Sequence, residues 1–182
     1  METMPDKEVN TESATKTGLL KPSLNAGFIT GVGLIALSLI IYLLGLMEVT
    51  WLSYLSWVIL LAGIILGTKH FRDELNGGFI SYGKALGFGT LVALFASLLG
   101  GIFTFIFFSY LAPDALEQLR DAAEIGMIER DPNATDQQIE FARMMVNPVI
   151  MMIGSIFSMT FVGFVFSLIT SAFLKKKDAL DG

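Results

Sequence analysis

The run Leu24–Leu46, LNAGFITGVGLIALSLIIYLLGL, carries no charged residue over 23 positions. A helix needs about 20 apolar residues to cross the hydrocarbon core of a bilayer. A secretory signal core is shorter, about 7–15 residues, and is followed by small residues for cleavage. Glu48-Val49-Thr50-Trp51 is no such site, so the run is predicted to be a retained first span. Trp51–Thr68 is a second uncharged run, and only Met47–Thr50 separates the two, which predicts a tight antiparallel pair. Lys84–Leu111 and Pro148–Leu174 supply a third and a fourth span. Both exceed the length needed, which tilt or protrusion from the bilayer accommodates. Trp51, Tyr54 and Trp57, with Tyr42 facing the same level, fit an interfacial aromatic belt.

Composition agrees. Of 182 residues, 53% are hydrophobic and 16% charged, against about a quarter charged in an average soluble domain. A soluble fold of this length could not bury that excess, and the chain is too apolar for disorder. The absence of cysteine excludes disulfides, thiolate metal sites and a lipidated cysteine anchor. A net charge of -5 argues against nucleic acid as a partner. The predicted fold class is all-α, an integral membrane bundle of four transmembrane helices with an extracytoplasmic helical hairpin between helices 3 and 4. Residues 1–23 are expected to be a flexible tail, 24–177 a single domain and 178–182 a short C-terminal end.

Lysine and arginine near the span ends set orientation. The tail has Lys7, Lys16 and Lys21, the second connection Lys69, Arg72 and Lys84, and the C-terminus Lys175, Lys176 and Lys177. These nine share one side, against Arg120, Arg130 and Arg143 on the other. Both termini are therefore expected in the cytoplasm of a cell with an inner membrane. The third connection, residues 112–147, is then the one sizeable outer segment. It holds eight acids and three arginines, a balance of -5 that equals the net charge of the chain.

Helical periodicity runs through this connection. Leu116, Leu119, Ala123 and Met127 fall on one face and Asp114, Glu117, Asp121 and Glu124 on the opposite one. Pro113 and Asp114 suit a first turn. Asp131-Pro132-Asn133 breaks the helix, Thr135 with Gln138 begins a capping box, and Asn147-Pro148 ends a second helix. The expected structure is a helical hairpin of roughly 30 residues resting its apolar face on the bundle or the membrane surface. Its acidic face is the candidate surface for a protein partner or a cation, with a merely solvated face as the plainer alternative.

The third span carries Ala85, Gly89, Ala93, Ser97 and Gly101, one small residue every four positions. Small residues let helices approach closely in lipid. The first reading is packing within one chain, and the second is a homo-oligomer seam. Gly27 and Gly31, Gly63 and Gly67, and Gly163, Ser167 and Ser171 repeat the pattern in the other spans. No span carries an ionisable residue away from its ends. That weakens pump, proton-coupled transporter and intramembrane-protease readings, but leaves a pore lined by serine, threonine and backbone.

No set of residues supplies catalysis or a cofactor. Asp131–Thr135 begins like a calcium loop but has Asp136 where glycine belongs and Ala142 where glutamate belongs. Met144, Met145, Met151 and Met152 lack a histidine companion for copper. His70, the one histidine, sits between Lys69 and Arg72 with no second ligand. No enzyme, cofactor or metal is expected.

Gly78-Phe79-Ile80-Ser81-Tyr82-Gly83-Lys84-Ala85 leads into a span that ends in Phe103-Thr104-Phe105-Ile106-Phe107-Phe108-Ser109-Tyr110 and then Pro113. This pattern, followed by an acidic helical loop and a last span, resembles the bacterial membrane family known as domain of unknown function 4199, over roughly Leu24–Lys177. The resemblance implies a four-helix inner-membrane protein and carries over no functional residue. The expected function is a non-enzymatic accessory or scaffold component whose acidic outer loop contacts a partner, with membrane lipids as its surroundings. The alternative is a small-solute or ion transporter or channel, acting as an oligomer. An envelope-stress sensor is a third class, and the 23-residue tail offers it no output domain.

Overall fold

A computed structural model describes residues 18–46 and 49–176. Most of the expected tail, the middle of the first connection, Lys177 and the C-terminal end lie outside the described residues. The rest is helical, with no strand among the described residues. Six α-helices follow in order: α1 Leu20–Leu43, α2 Thr50–His70, α3 Tyr82–Ile106, α4 Pro113–Arg130, α5 Asp136–Met145 and α6 Pro148–Leu174. A five-residue π-helical turn extends α2 through Phe71–Leu75, and another extends α3 through Phe107–Leu111. Four of these units are long and apolar enough to cross a membrane: Leu20–Leu43, Tyr54–Leu75, Tyr82–Leu111 and Pro148–Leu174. This is the architecture of a multi-pass membrane protein.

The span limits differ from the sequence expectation for identifiable reasons. Helix α1 starts at Leu20, inside the stretch assigned to the tail. Pro22 lies in the first turn, where its missing N–H breaks no helical bond. The buried Ser23 hydroxyl donates to the carbonyls of Leu19 at 2.6 Å and Leu20 at 3.0 Å. At its other end α1 stops at Leu43 and not at Leu46. Gly45 is left-handed at φ +66°. Leu46 N–H donates back to Ile41 O and Gly45 N–H to Tyr42 O, each at 3.0 Å. That is a Schellman ending, which needs a residue at ease with positive φ.

Residues 69–75, which follow the second uncharged run and lie in the connection that carries Lys69 and Arg72, continue α2. The cause is Phe71, fully buried and stacked on Phe88 with ring centroids 4.7 Å apart. Around it the charged side chains reach outward from a helical backbone. Arg72 Nη1 donates to Leu174 O at 3.2 Å, and the Lys84 ammonium lies 5.4 Å from the Phe71 ring centroid and bonds Asn76 Oδ1. Ile80 and Lys176 exchange backbone hydrogen bonds at 2.9 Å. These contacts tie the α2–α3 connection to the end of α6.

Helices α3 and α6 form the most extensive pair, followed by α3 with α1. The contacts are made by small residues. A Cβ on Gly27 would lie 2.8 Å from Val92 O, and one on Gly67 2.9 Å from Ala26 Cβ. Large side chains point the other way: Phe157 is 74% exposed and Phe173 84%. A soluble bundle would be unstable so arranged, but lipid tails solvate aromatic and aliphatic groups as well as a protein core does.

The core is one-sided. Leu60, Ile64, Phe71, Ile80, Phe88 and Val92 form its buried centre. Apart from Leu60, which lies near mid-bundle, they occupy the half near the described chain ends, here the termini end. Toward the other end, where the α4–α5 hairpin sits, Trp51, Tyr54 and Trp57 on α2 are exposed, and the spans enclose a cleft.

Candidate functional site

The hairpin is built by local signals. Pro113 occupies the first turn of α4. Thr135 caps α5, with Gln138 N–H donating to its side chain and the Gln138 side chain accepting from Thr135 N–H at 2.8 Å. Asn147 caps α6 by accepting from Val149 N–H at 2.9 Å. Only Val146 and Asn147 separate α5 from α6.

The acidic face of α4 turns toward α5. Arg143 Nη1 meets Glu124 Oε2 at 2.6 Å and Asp121 Oδ1 at 3.0 Å, and its Nη2 meets Glu117 Oε1 at 2.6 Å. Glu117 also accepts from Arg120 Nη1 at 3.0 Å, and Arg120 Nε donates to Val146 O at 3.0 Å. The hydrogen bond that Arg143 donates to Glu124 is the main influence holding its guanidinium above the usual arginine range; its partial desolvation opposes this, and Asp121 and Glu117 add to it. Glu117, Asp121 and Glu124 are therefore brought together by one guanidinium. Asp114 is not part of this group. It lies beside a hollow of about 290 Å³ lined by Tyr42, Gly45, Leu111 and Gln118.

The apolar face of the hairpin is less buried than the periodicity suggested. In α4 only Leu116 is buried, while Leu119 is exposed. Helix α5 buries none of its residues. Sequence reasoning missed Arg143 and Arg120, although three arginines among eight acids in one loop are a signal that charges will pair across it.

All five small residues of α3 are buried. Gly89 abuts Ser167 and Ile64, Ala93 meets Gly163, and Gly101 meets Ile156. Ser97 Oγ lies 2.8 Å from Thr160 Oγ1. This face packs within the chain, chiefly against α6.

Beneath the hairpin, all four spans line a cleft of about 280 Å³. Ser38, Ser56, Ser97, Thr104, Ser155 and Ser158 turn toward it, with Ala96, Gly100 and Gly101 beside them. Nothing in the sequence indicates that these residues meet. A second groove of about 490 Å³, mostly apolar, runs between α1 and α2 at the termini end, with Asn25 and His70 on its rim. His70 Nδ1 lies 3.3 Å from Glu74. Among the described residues, no group of three or more His, Asp or Glu side chains is arranged to hold a metal ion.

Residues 25–176 match a family described as protein of unknown function (DUF4199). The chain belongs to this family. The DUF4199 region opens within α1 and closes at Lys176, the residue paired with Ile80. It therefore takes in all four spans, the hairpin and the cleft. No curated protein and no solved structure matches the chain.

Proposed function

We propose that this DUF4199 protein is a non-enzymatic accessory or scaffold component of an inner membrane, with both termini in the cytoplasm and the α4–α5 hairpin outside as a docking head. The observation that carries the reading is the Arg143 group. Three carboxylates of α4 closing on one guanidinium of α5 make the hairpin a fixed object, and short turns would have sufficed for threading. Loops positioned by a rigid scaffold are where binding residues concentrate. Because Glu117 and Glu124 are engaged by Arg143, the partner surface shifts to the outward stripe of α4. Asp114, Gln118, Ile125 and Glu129 are exposed there at helical spacing, and Asp121, though bonded to Arg143, borders the stripe and is exposed as well. Such a stripe suits a basic protein surface with an apolar centre, Ile125 filling a small pocket.

A photo-crosslinking residue at Ile125, in the full chain in native membranes, tests this, with one at the lipid-facing Phe157 as control. The expected result is one protein adduct specific to Ile125, weakened by Glu129→Lys and by high salt. Adducts identical at the two positions, or unchanged by Glu129→Lys and salt, would overturn it.

A further inference from the structure

We propose that the cleft beneath the hairpin is a binding site for a small uncharged solute that both donates and accepts hydrogen bonds. The position comes first. Ser38 lies five residues before the end of α1, Ser56 six after the start of α2, and Ser155 seven after the start of α6. At 1.5 Å per residue these hydroxyls sit about 8–11 Å below the hairpin-side helix ends, with Ser97 at about 20 Å. The cleft therefore occupies one half of the bundle.

Its chemistry is unusual for that depth. Six hydroxyls converge from four helices. Ser97, Thr104 and Ser155 donate to carbonyls of their own helices at 2.8, 2.9 and 2.8 Å; this leaves Thr104 and Ser155 free to accept, while Ser97 already pairs with Thr160. Ser38, Ser56 and Ser158 make no hydrogen bond among the described residues. A hydroxyl transferred to hydrocarbon without a partner is unfavourable by several kcal/mol on the scale of alkane transfer. Leu34, Ile35, Phe103 and Met159 complete the wall, so the occupant that fits is a small molecule with an apolar body and polar groups to meet these hydroxyls.

The same residues decide charge and depth. No Asp, Glu, Lys, Arg or His lines the cleft. A charged ligand would meet no counter-charge at membrane depth, which excludes it more strongly than any hydroxyl could attract it. Toward the termini end the way is closed, because Ala93 packs on Gly163 and Leu60, Ile64 and Val92 are buried. A single chain therefore forms a blind vestibule and offers no passage through the bundle. The inference is independent of whether the hairpin docks a partner.

The chain has no cysteine, so single cysteines report on the cleft directly. Ser158→Cys and Ser38→Cys, each in the full chain in phospholipid vesicles, are treated with a water-soluble, membrane-impermeant thiol reagent. The lipid-facing Phe157→Cys is the control, and elution of each variant at the wild-type size checks folding. Thiols react as thiolates, which need water, so the cleft cysteines should react roughly tenfold faster than the control. Glycerol and acetamide, two uncharged probes, should slow the cleft reaction. At a concentration equal to its dissociation constant, such a probe roughly halves the rate. Choline, of similar size but charged, should have no effect. Ser56→Ala combined with Ser158→Ala should abolish the protection read at Ser38→Cys. Cleft cysteines no faster than the control would show a lipid-filled groove and overturn the proposal. Fast labelling that neither uncharged probe slows, or that choline slows equally, would show an unselective water-filled crevice and overturn it as well.

Discussion

A methyl group added at Gly163 should separate α6 from α3. The added Cβ overlaps Ala93 Cβ and stands 3.5 Å from Ala93 Cα. Alanine has no rotamer by which to withdraw, so only the helix axes can give. Overpacking of this kind costs about 1–3 kcal/mol. Gly154, on the same helix, is the matched control, because a Cβ there meets nothing within 4 Å. Both changes gain the same intrinsic helix preference, about 1 kcal/mol for alanine over glycine. That gain cancels in the comparison, so Gly163→Ala should be less stable than Gly154→Ala by about 1–3 kcal/mol, or roughly 5- to 150-fold in the folding equilibrium. Reversible unfolding in mixed detergent micelles, followed by tryptophan fluorescence, reads the difference. A second change sharpens it. Ala93→Gly removes the opposing methyl, so in the Gly163→Ala background it should restore part of the loss, with a coupling of about 0.5–3 kcal/mol. Equal stability of the two alanine variants, or additive effects of Gly163→Ala and Ala93→Gly, would refute close packing at this point.

Arg143→Gln should free α5 from α4, seen as a broadened distance distribution between spin labels at Ile125 and Gln137, while the four spans keep their unfolding midpoint. The raised Arg143 value keeps this contact from weakening with alkali: it is complete below the pKa of free arginine and lost only as pH rises through the higher folded value, so the distance should be constant from pH 7 to about 11. Replacing Glu117, Asp121 and Glu124 together by Gln or Asn should loosen the hairpin as Arg143→Gln does, whereas Asp114→Asn alone should leave that distance unchanged. Reporter fusions test the threading: one after Lys177 should be active only as a cytoplasmic reporter, and one within Asp131–Asp136 only as an exported one.

The architecture was legible because bilayer thickness imposes a length that a linear scan detects, and each uncharged run became a span. The ends were less legible, because they are set by interactions that a charge count does not register. Gly45 stops α1 through a backbone motif three residues before the apolar run ends. Phe71 continues α2 through a run of charges because it has a ring to stack on. The spacing of Leu60, Ile64 and Phe71, four and then seven residues, was the signal that helix persisted past Lys69. The acidic stripe was visible as a stripe, but its direction was not. Periodicity places residues on a face, and only the partner helix decides whether that face looks outward. The hydroxyl cleft had no signal at all, since its members are scattered from Ser38 to Ser158 and serine is common in membrane helices.

The one-sided core has a physical consequence for how this bundle divides its work. In lipid, large apolar side chains contribute little to helix association, since the bilayer solvates them equally well, and close backbone approach supplies most of the attraction. Close approach needs small residues on both partners. Gly63 against Thr30, Gly67 against Ala26, Gly89 against Ser167 and Gly163 against Ala93 meet that need in the termini half. In the hairpin half α2 has no such partner: Leu52 to Ile59 offers no glycine or alanine, and Ser56 faces the cleft. With nothing to draw α2 inward at that level, the spans part, and the gap is lined by the hydroxyls that α1, α3 and α6 also present. A tight end and an open end thus follow from where small residues are placed along four helices of similar apolarity. Adding a glycine or alanine to the open half of α2 would therefore remodel the cleft more than removing any large residue from its walls.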